Sequence, residues 1–236
     1  LLNYYVYSWS QVVNNATTSS IEIQLRSIKQ LLKTAKFEEA ITQSKQLQQQ
    51  LLTEEEQIET WYLMAVAQRY VQDFTNALIS TNELLKCDVK HSRAYQEQGY
   101  IQLALTQPEL AKSAFEQAVA INPCLVASWQ ELIELYRQAE QQGDVQRAAN
   151  HLMKLKELPP ALLAVTELLH EGKLLKAEQI CRHFLQNNKQ HIDGMCLLAQ
   201  IGIEMKIYDD AEFLLATALE LKPNHLHARS QYLNLL

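Results

Sequence analysis

The sequence has few of the residues that form the tight turns of sheet proteins. Among its 236 residues there are only five glycines and five prolines. Sheets need many such turns, and Gly and Pro mark most of them. The long stretches between them are rich in Leu, Ala, Gln, Glu and Lys, which lose little side-chain entropy in a helix. The composition therefore predicts an all-α protein.

Long apolar segments are also missing. Runs such as Ala161–Val165 and Cys196–Ala199 are far shorter than the roughly 20 residues that span a bilayer. No basic region followed by an apolar core marks a signal peptide, although the chain starts at Leu1 rather than Met and a removed leader stays open. We expect a cytoplasmic protein without a membrane partner.

Cysteine is scarce and widely spaced. Cys87, Cys124, Cys181 and Cys196 form no C-x-x-C pair. A zinc site needs close ligand pairs, and a disulfide framework needs a much higher density of cysteines. We therefore expect small apolar residues, buried or half-buried, in a reducing cytoplasm.

Positive charge is in deficit, since the formal net charge is −6 and the pI is about 5.7. Duplex nucleic acid and anionic lipid both require a positive face. Neither is expected to be the main partner.

Catalytic motifs are absent as well. The five glycines are isolated, so no loop can cradle a phosphate, and neither G-x-S-x-G nor H-E-x-x-H occurs. His225 and His227 would point to different sides of a helix, which disfavours a shared metal ion. We expect surface or packing histidines, no cofactor, no metal and no enzyme activity in this chain.

What the sequence does contain is a repeat. Small and large residues recur at shared offsets in six units, most clearly at Gly99, Ala111, Phe115, Ala118 and Pro123. Gly99 and Ala111 are small where two helices would cross, and Pro123 cannot continue a helix. A residue equivalent to Ala111 recurs near the start of each second helix, at Ala40, Ala77, Ala148, Ala177 and Ala211.

These offsets resemble the 34-residue tetratricopeptide (TPR) pattern. The resemblance implies an all-α, right-handed superhelical solenoid of antiparallel helix pairs, with about six repeats and the start of a seventh. The predicted units lie near 21–54, 58–91, 92–125, 126–160, 161–191, 192–225 and, in part, 226–236. Thr53 and Glu56 predict a capping box, and Pro108 suits the first turn of a helix. The fourth unit has three extra residues, at or near 141–143, which we place in the turn between its helices.

Both ends look unfinished. The apolar 232–236 stretch lacks a polar capping helix, which suggests a longer parent protein and leaves self-association through the apolar ends open. Residues 1–20 form an apolar, aromatic segment and linker. Two interpretations stay open: a helix that covers the first unit, or a detachable segment that docks in a groove.

The TPR resemblance also implies a binding surface. In that family the first helices line a concave face that binds extended peptides or partner helices. By this resemblance, the residues that we predict to bind a peptide are Tyr62, Arg69, Tyr70, Arg93, Gln96, Tyr100, Glu134 and Arg137. Lys29 alone matches the family's carboxylate clamp, so that role is not expected. With Glu97, Glu131 and Glu134 one unit beyond Arg69 and Arg93, we expect a peptide to bind with its acidic part towards the arginines.

A narrower resemblance is to bacterial proteins that join a TPR arm to a sulfotransferase domain. It rests on the sequences at 173–185, 209–215 and 227–233. The main hypothesis is a protein- or peptide-binding scaffold. The alternative is a substrate-recruiting arm of a larger sulfotransferase, whose catalytic domain would lie beyond this chain.

Overall fold

The computed structural model describes residues 20–235, which form thirteen α-helices and no strand. The expectations for residues 1–19 lie outside this range. In chain order the helices are α1 Ser20–Lys33, α2 Phe37–Leu47, α3 Glu54–Tyr70, α4 Phe74–Cys87, α5 Ser92–Ala104, α6 Pro108–Ile121, α7 Val126–Gln138, α8 Gln142–Glu157, α9 Pro160–His170, α10 Leu174–Asn187, α11 Ile192–Glu204, α12 Tyr208–Leu221 and α13 Leu226–Leu235.

The described chain divides into two compact units. The first contains residues 20–123 and 127–145, and the second contains Cys124–Val126 and 146–235. In the first unit α1 packs on α2, α3 on α4 and α5 on α6, and α1 and α5 also contact α3. In the second unit α9 packs on α10 and α11 on α12, while α13 contacts α11 and α12. The predicted all-α fold of helix pairs is confirmed.

The small residues of the repeat lie where the helices cross. Ala40, Ala77, Ala111, Ala177 and Ala211 are each the fourth residue of a second helix, and all are fully buried. A methyl side chain lets two helix backbones approach closely, because a larger group there would overpack the crossing. The predicted burial of these alanines, Ala148 included, is confirmed.

Gly99 shows how close one crossing is. A Cβ built on Gly99 would lie 2.7 Å from Cε1 and Cζ of Phe115, whose side chain is fully buried. Only a residue without a side chain leaves room for this ring. The large–small packing of α5 on α6 therefore depends on both residues.

Six turns of identical form join helices within the repeats. Each has three residues, and the middle one adopts a positive φ: Ala35, Gln72, Thr106, Glu140, Gly172 and Lys206. The N–H of the residue that follows bonds a carbonyl five positions back, as in Lys173 to Leu168 at 2.9 Å. This is the Schellman closure, in which a left-handed residue satisfies the last carbonyls of a helix.

The fourth turn corrects one prediction. The three extra residues of that unit do not lengthen the turn, which is Ala139–Gln141 like the others. Instead α8 starts at Gln142, and Ala148 is its seventh residue rather than its fourth. The insertion adds about one helical turn at the start of α8, since an α-helix has about 3.6 residues per turn.

Several helix starts are capped. Thr53 and Glu56 form the predicted reciprocal capping box of α3, and Pro108 occupies the first turn of α6. The histidines hold a capping role that sequence reasoning missed. Nδ1 of His91, His191 and His225 accepts a backbone N–H bond from Ala94, Gly194 and Ala228, respectively.

The cysteines behave as expected from their spacing. All four are free thiols; Cys124, Cys181 and Cys196 are buried, and Cys87 is half-buried. Burial raises the pKa of the Cys181 thiol to about 12 and that of Cys196 to about 11. These thiols are therefore protonated and unreactive near neutral pH.

Candidate functional site

The first helices of consecutive repeats carry the predicted binding residues. In the first unit these helices are α1, α3, α5 and α7, and we call the surface they share the first-helix face. All eight predicted residues belong to α3, α5 or α7 of this unit. The structure describes each of them, and it brings three of them into one cluster.

That cluster is centred on Arg69. Its Nε lies 2.5 Å from Oε2 of Glu97, which joins α3 to α5. The guanidinium also lies over the Tyr70 ring, 4.5 Å from its centroid, and over the Tyr100 ring, at 5.1 Å. Arginine suits this position because its planar group stacks on rings while it pairs with a carboxylate.

The electrostatics of the pair follow from its burial. The Arg69 side chain is 19% exposed and that of Glu97 only 7%. Burial alone would lower the pKa of Arg69, but the hydrogen bond and the charge of Glu97 outweigh it, so this pKa is raised. A buried ion pair of this kind fixes geometry, and removal of one partner would leave an unpaired buried charge.

This contact counts against one expectation. We expected Arg69 to receive the acidic part of a bound peptide, but Glu97 already occupies its guanidinium. Glu97 was itself expected to belong to an acidic part of the face, one unit away from the arginines. The contact needs α3 and α5 side by side, which no local pattern shows.

Tyr70 and Phe37 extend the cluster. Their rings stack with centroids 4.6 Å apart and planes 4° apart. Tyr70 remains 54% exposed, so this stack is open to solvent. Sequence reasoning named Tyr70 but not Phe37 as part of the site, although the aromatic residue at the start of α2 was a recognisable signal.

Tyr100 is the member that joins the cluster to the core. Its ring meets that of Phe115 edge-on, with centroids 5.2 Å apart. Burial, followed by the charges of Glu131 and Glu97, raises the pKa of the Tyr100 hydroxyl above its usual value. The hydroxyl therefore stays protonated and can donate a hydrogen bond near neutral pH.

The remaining predicted residues have contacts of their own. Tyr62 packs against the His91 ring at 5.4 Å, and Arg93 is half-buried on α5. Gln96 is buried, and its Nε2 donates to Oγ of Ser128 at 2.8 Å, so it ties α5 to α7. Glu134 and Arg137 form an exposed ion pair within α7. Their role in binding stays a prediction.

The clamp position is also occupied. Nζ of Lys29 pairs with Oε1 of Glu59 at 2.9 Å, which links α1 to α3. An ion pair therefore crosses the first-helix face at each of two consecutive junctions.

The second unit has a groove that sequence reasoning missed. It has a volume of about 490 Å³, and it lies where α13 meets α11 and the start of α12, lined by Gln200, Ile203, Tyr208, His227, Gln231, Asn234 and Leu235. Its lining is amide-rich and carries no paired acids or thiols.

Within residues 20–235 no group of three or more His, Cys, Asp or Glu side chains could hold a metal ion. In the same range, no helix combines the length and the apolar character needed to cross a membrane. A cytoplasmic location stays a prediction.

The class of protein is now defined as an all-α repeat of helix pairs joined by Schellman turns. Residues 92–123, which contain α5 and α6, match the family model described as tetratricopeptide repeat. No curated protein matches the chain. The sequence therefore carries a recognisable TPR unit at the pair that holds Gly99, Tyr100 and Phe115.

Solved structures show the same fold. The crystal structure of MamA is 16% identical, with a TM-score of 0.52 over 58% of this chain and 79% of that chain. A Pseudomonas aeruginosa pilF structure is 15% identical, with a TM-score of 0.50 over 91% of this chain and 97% of that one. In the APC/C hetero-tetramer Cut9–Hcn1, the matched chain is 13% identical, with a TM-score of 0.51 over 92% of this chain and 43% of its own length. The fold is that of TPR proteins.

Proposed function

We propose that the chain is a protein- or peptide-binding scaffold that acts through the first-helix face of its first unit. The observation that carries the proposal is the open aromatic–arginine cluster of Phe37, Tyr70, Arg69 and Tyr100. It joins helices from three consecutive repeats. Such a surface offers contact area rather than reacting groups.

The residue types fit this task. Tyrosine and arginine are enriched among the residues that dominate binding energy at interfaces, because they offer large contact areas and directional polar groups. Tyr70 is pre-positioned by its stack on Phe37, and Arg69 is pre-positioned by Glu97. Pre-positioned side chains lose less entropy when a partner binds.

The relatives by fold support an interaction role without identifying a partner. Two similar structures are of TPR-like chains in complexes, namely Naa15/Naa10 bound to HypK-THB and Cut9–Hcn1. For this chain we propose the general role alone. A catalytic role for the described residues is not proposed, because no reacting constellation is among them.

Site-specific photo-crosslinking would test the proposal. A photoreactive phenylalanine analogue replaces Tyr70 in the full chain, and a matched control carries it at Leu110 on α6. The two positions are equally accessible, at 54% and 55% exposure, but Leu110 lies on a second helix. We expect a discrete crosslinked partner from position 70 and none from position 110.

The crosslinked partner would then be purified and its binding measured directly. Tyr70→Ala is expected to weaken binding, and Leu110→Ala is expected to leave it unchanged. Equal or stronger crosslinking from position 110, or unchanged binding by Tyr70→Ala, would contradict the proposed face.

The alternative, a substrate-recruiting arm of a larger sulfotransferase, rests on sequence resemblance in the second unit at 173–185, 209–215 and 227–233. It would be tested by assaying sulfuryl transfer by the product of the whole gene. Because no phosphate-binding loop is present here, phosphoadenosine-phosphosulfate should not shift the melting temperature of this chain by itself.

A further inference from the structure

The Arg69–Glu97 pair has an incomplete counterpart one repeat further along the first-helix face. The positive-φ residues Gln72, Thr106 and Glu140 mark the same position in consecutive repeats and are spaced 34 residues apart. By that register Glu131 on α7 corresponds to Glu97 on α5. Leu103 on α5 corresponds to Arg69 on α3. The carboxylate is present at the junction of α5 and α7, but the arginine is replaced by leucine.

The junction of α5 and α7 is held in place by its own contacts. Gln96 on α5 bonds Ser128 on α7, and both residues are buried. The Tyr136 hydroxyl on α7 donates to Glu116 on α6 at 2.9 Å. The position of Glu131 relative to α5 is therefore built into the packing and does not need a ligand.

Glu131 lacks the cation that its counterpart has. It is half-buried, and no lysine, arginine or histidine in residues 20–235 forms an ion pair with it. The next acid on the same helix, Glu134, is paired with Arg137. Glu131 lies on α7 one turn from Ser128, which bonds Gln96 on α5, and Tyr100 lies one turn from Gln96 on the same helix. The negative charge of Glu131 contributes to the raised pKa of the Tyr100 hydroxyl.

We propose that Glu131 and Tyr100 receive a lysine or arginine side chain of the bound partner, an inference that rests on the proposed function. The partner's cation pairs with Glu131 and contacts the aromatic edge of the cluster, as Arg69 does with Glu97 and the tyrosine rings. A carboxylate and an aromatic ring together form a favourable environment for a cation. The partner segment that this junction fits is therefore basic.

The first experiment measures the charge preference of binding. The full 236-residue chain is incubated with a library of immobilised, extended peptides. The peptides have the same composition except that each position in turn carries Lys, Arg or Glu. We expect peptides with Lys or Arg to bind best. Glu131→Gln should reduce that preference about tenfold, the size of one charge-assisted contact.

Glu109→Gln is the control, because it removes the same charge from the exposed start of α6, which is not part of the first-helix face. It should leave the preference unchanged. Peptide binding with no preference for basic residues, or with a preference that Glu131→Gln leaves intact, overturns the inference but not the proposed function. Binding of no peptide at all contradicts the proposed function and the inference together.

A second experiment gives Glu131 a cation from the chain itself. Leu103→Arg supplies the missing cation and should abolish the preference for basic peptides, whereas Leu103→Gln should retain it. Without any ligand, Leu103→Arg should melt at a higher temperature than Leu103→Gln, and the difference should vanish when Glu131→Gln is added. If the difference persists in the Glu131→Gln background, the two positions do not face each other and the inference is wrong.

Discussion

Gly99→Ala tests how tightly the central helix pair is packed. The added methyl would lie 2.7 Å from two Phe115 ring atoms and 2.8 Å from a third. The ring has no free space to move into, because Phe115 is fully buried and the Tyr100 ring abuts it. We therefore expect an overpacking cost of about 2–3 kcal/mol, at the upper end of the usual range.

A second effect opposes this cost. Alanine is favoured over glycine within a helix by about 1 kcal/mol, since glycine loses more backbone entropy on folding. The net expectation for Gly99→Ala is a loss of about 1–2 kcal/mol. Gly143→Ala is the control, because a methyl there meets nothing within 4 Å. That variant should gain about 0.5 kcal/mol from the helix preference alone.

Unfolding in urea, followed by circular dichroism, would measure the free energy of unfolding of both variants. The dependence of this free energy on urea concentration checks for two-state behaviour, from which repeat proteins often depart. Phe115→Leu should restore room, so Gly99→Ala should cost less in that background. If Gly99→Ala is as stabilising as Gly143→Ala, the close crossing of α5 and α6 is wrong. If its cost is unchanged by Phe115→Leu, the ring is not the obstacle.

Three further predictions concern turns, caps and thiols. Thr106→Gly should stabilise the chain by about 1 kcal/mol in thermal melts, because a β-branched residue is strained at φ 56°. Gly172→Ala should destabilise the chain by a similar amount, because Gly172 has a φ of 68°. Effects of equal sign would contradict the shared turn geometry. Thr53→Ala should cost about 1 kcal/mol through loss of the capping box, and Thr53→Ser should cost much less. Burial raises the pKa of Cys181 to about 12, so the unfolded chain releases that proton first. The free energy of unfolding should therefore fall as pH rises above about 9. The fall should be steeper than in Cys181→Ala by up to about 1.4 kcal/mol per pH unit. Parallel pH profiles for the two proteins would refute this.

The repeat was readable from the sequence because its signals are local. Ala111, Phe115 and Pro123 lie within one hairpin of helices, and their spacing follows from the geometry of that hairpin alone. The same holds for the capping box at Thr53, which needs only residues three positions apart. The histidine caps were missed because His is an uncommon N-cap, and its Nδ1 must be oriented by the helix that follows.

The extra residues of the fourth unit show where local reading stops. Gln142 and Gly143 are polar or small and so resemble a turn. The structure nevertheless places them in the first turn of α8, because the Schellman closure at Glu140 already completes the connection in three residues. A glycine is tolerated there, since the first turn of a helix has few intrahelical bonds to weaken.

The sequence by itself determined that this protein is a stack of helix pairs and that tyrosines and arginines occupy its first helices. Only the tertiary structure decided what those side chains do. Arg69 meets Glu97 and Tyr100 because α3 and α5 lie side by side, and Phe37 reaches Tyr70 because α2 packs against α3. The spacing of residues along one helix specifies which face they share, but charge pairing and ring stacking depend on distances of a few ångströms between separate helices, which are set by the packing of the side chains between them.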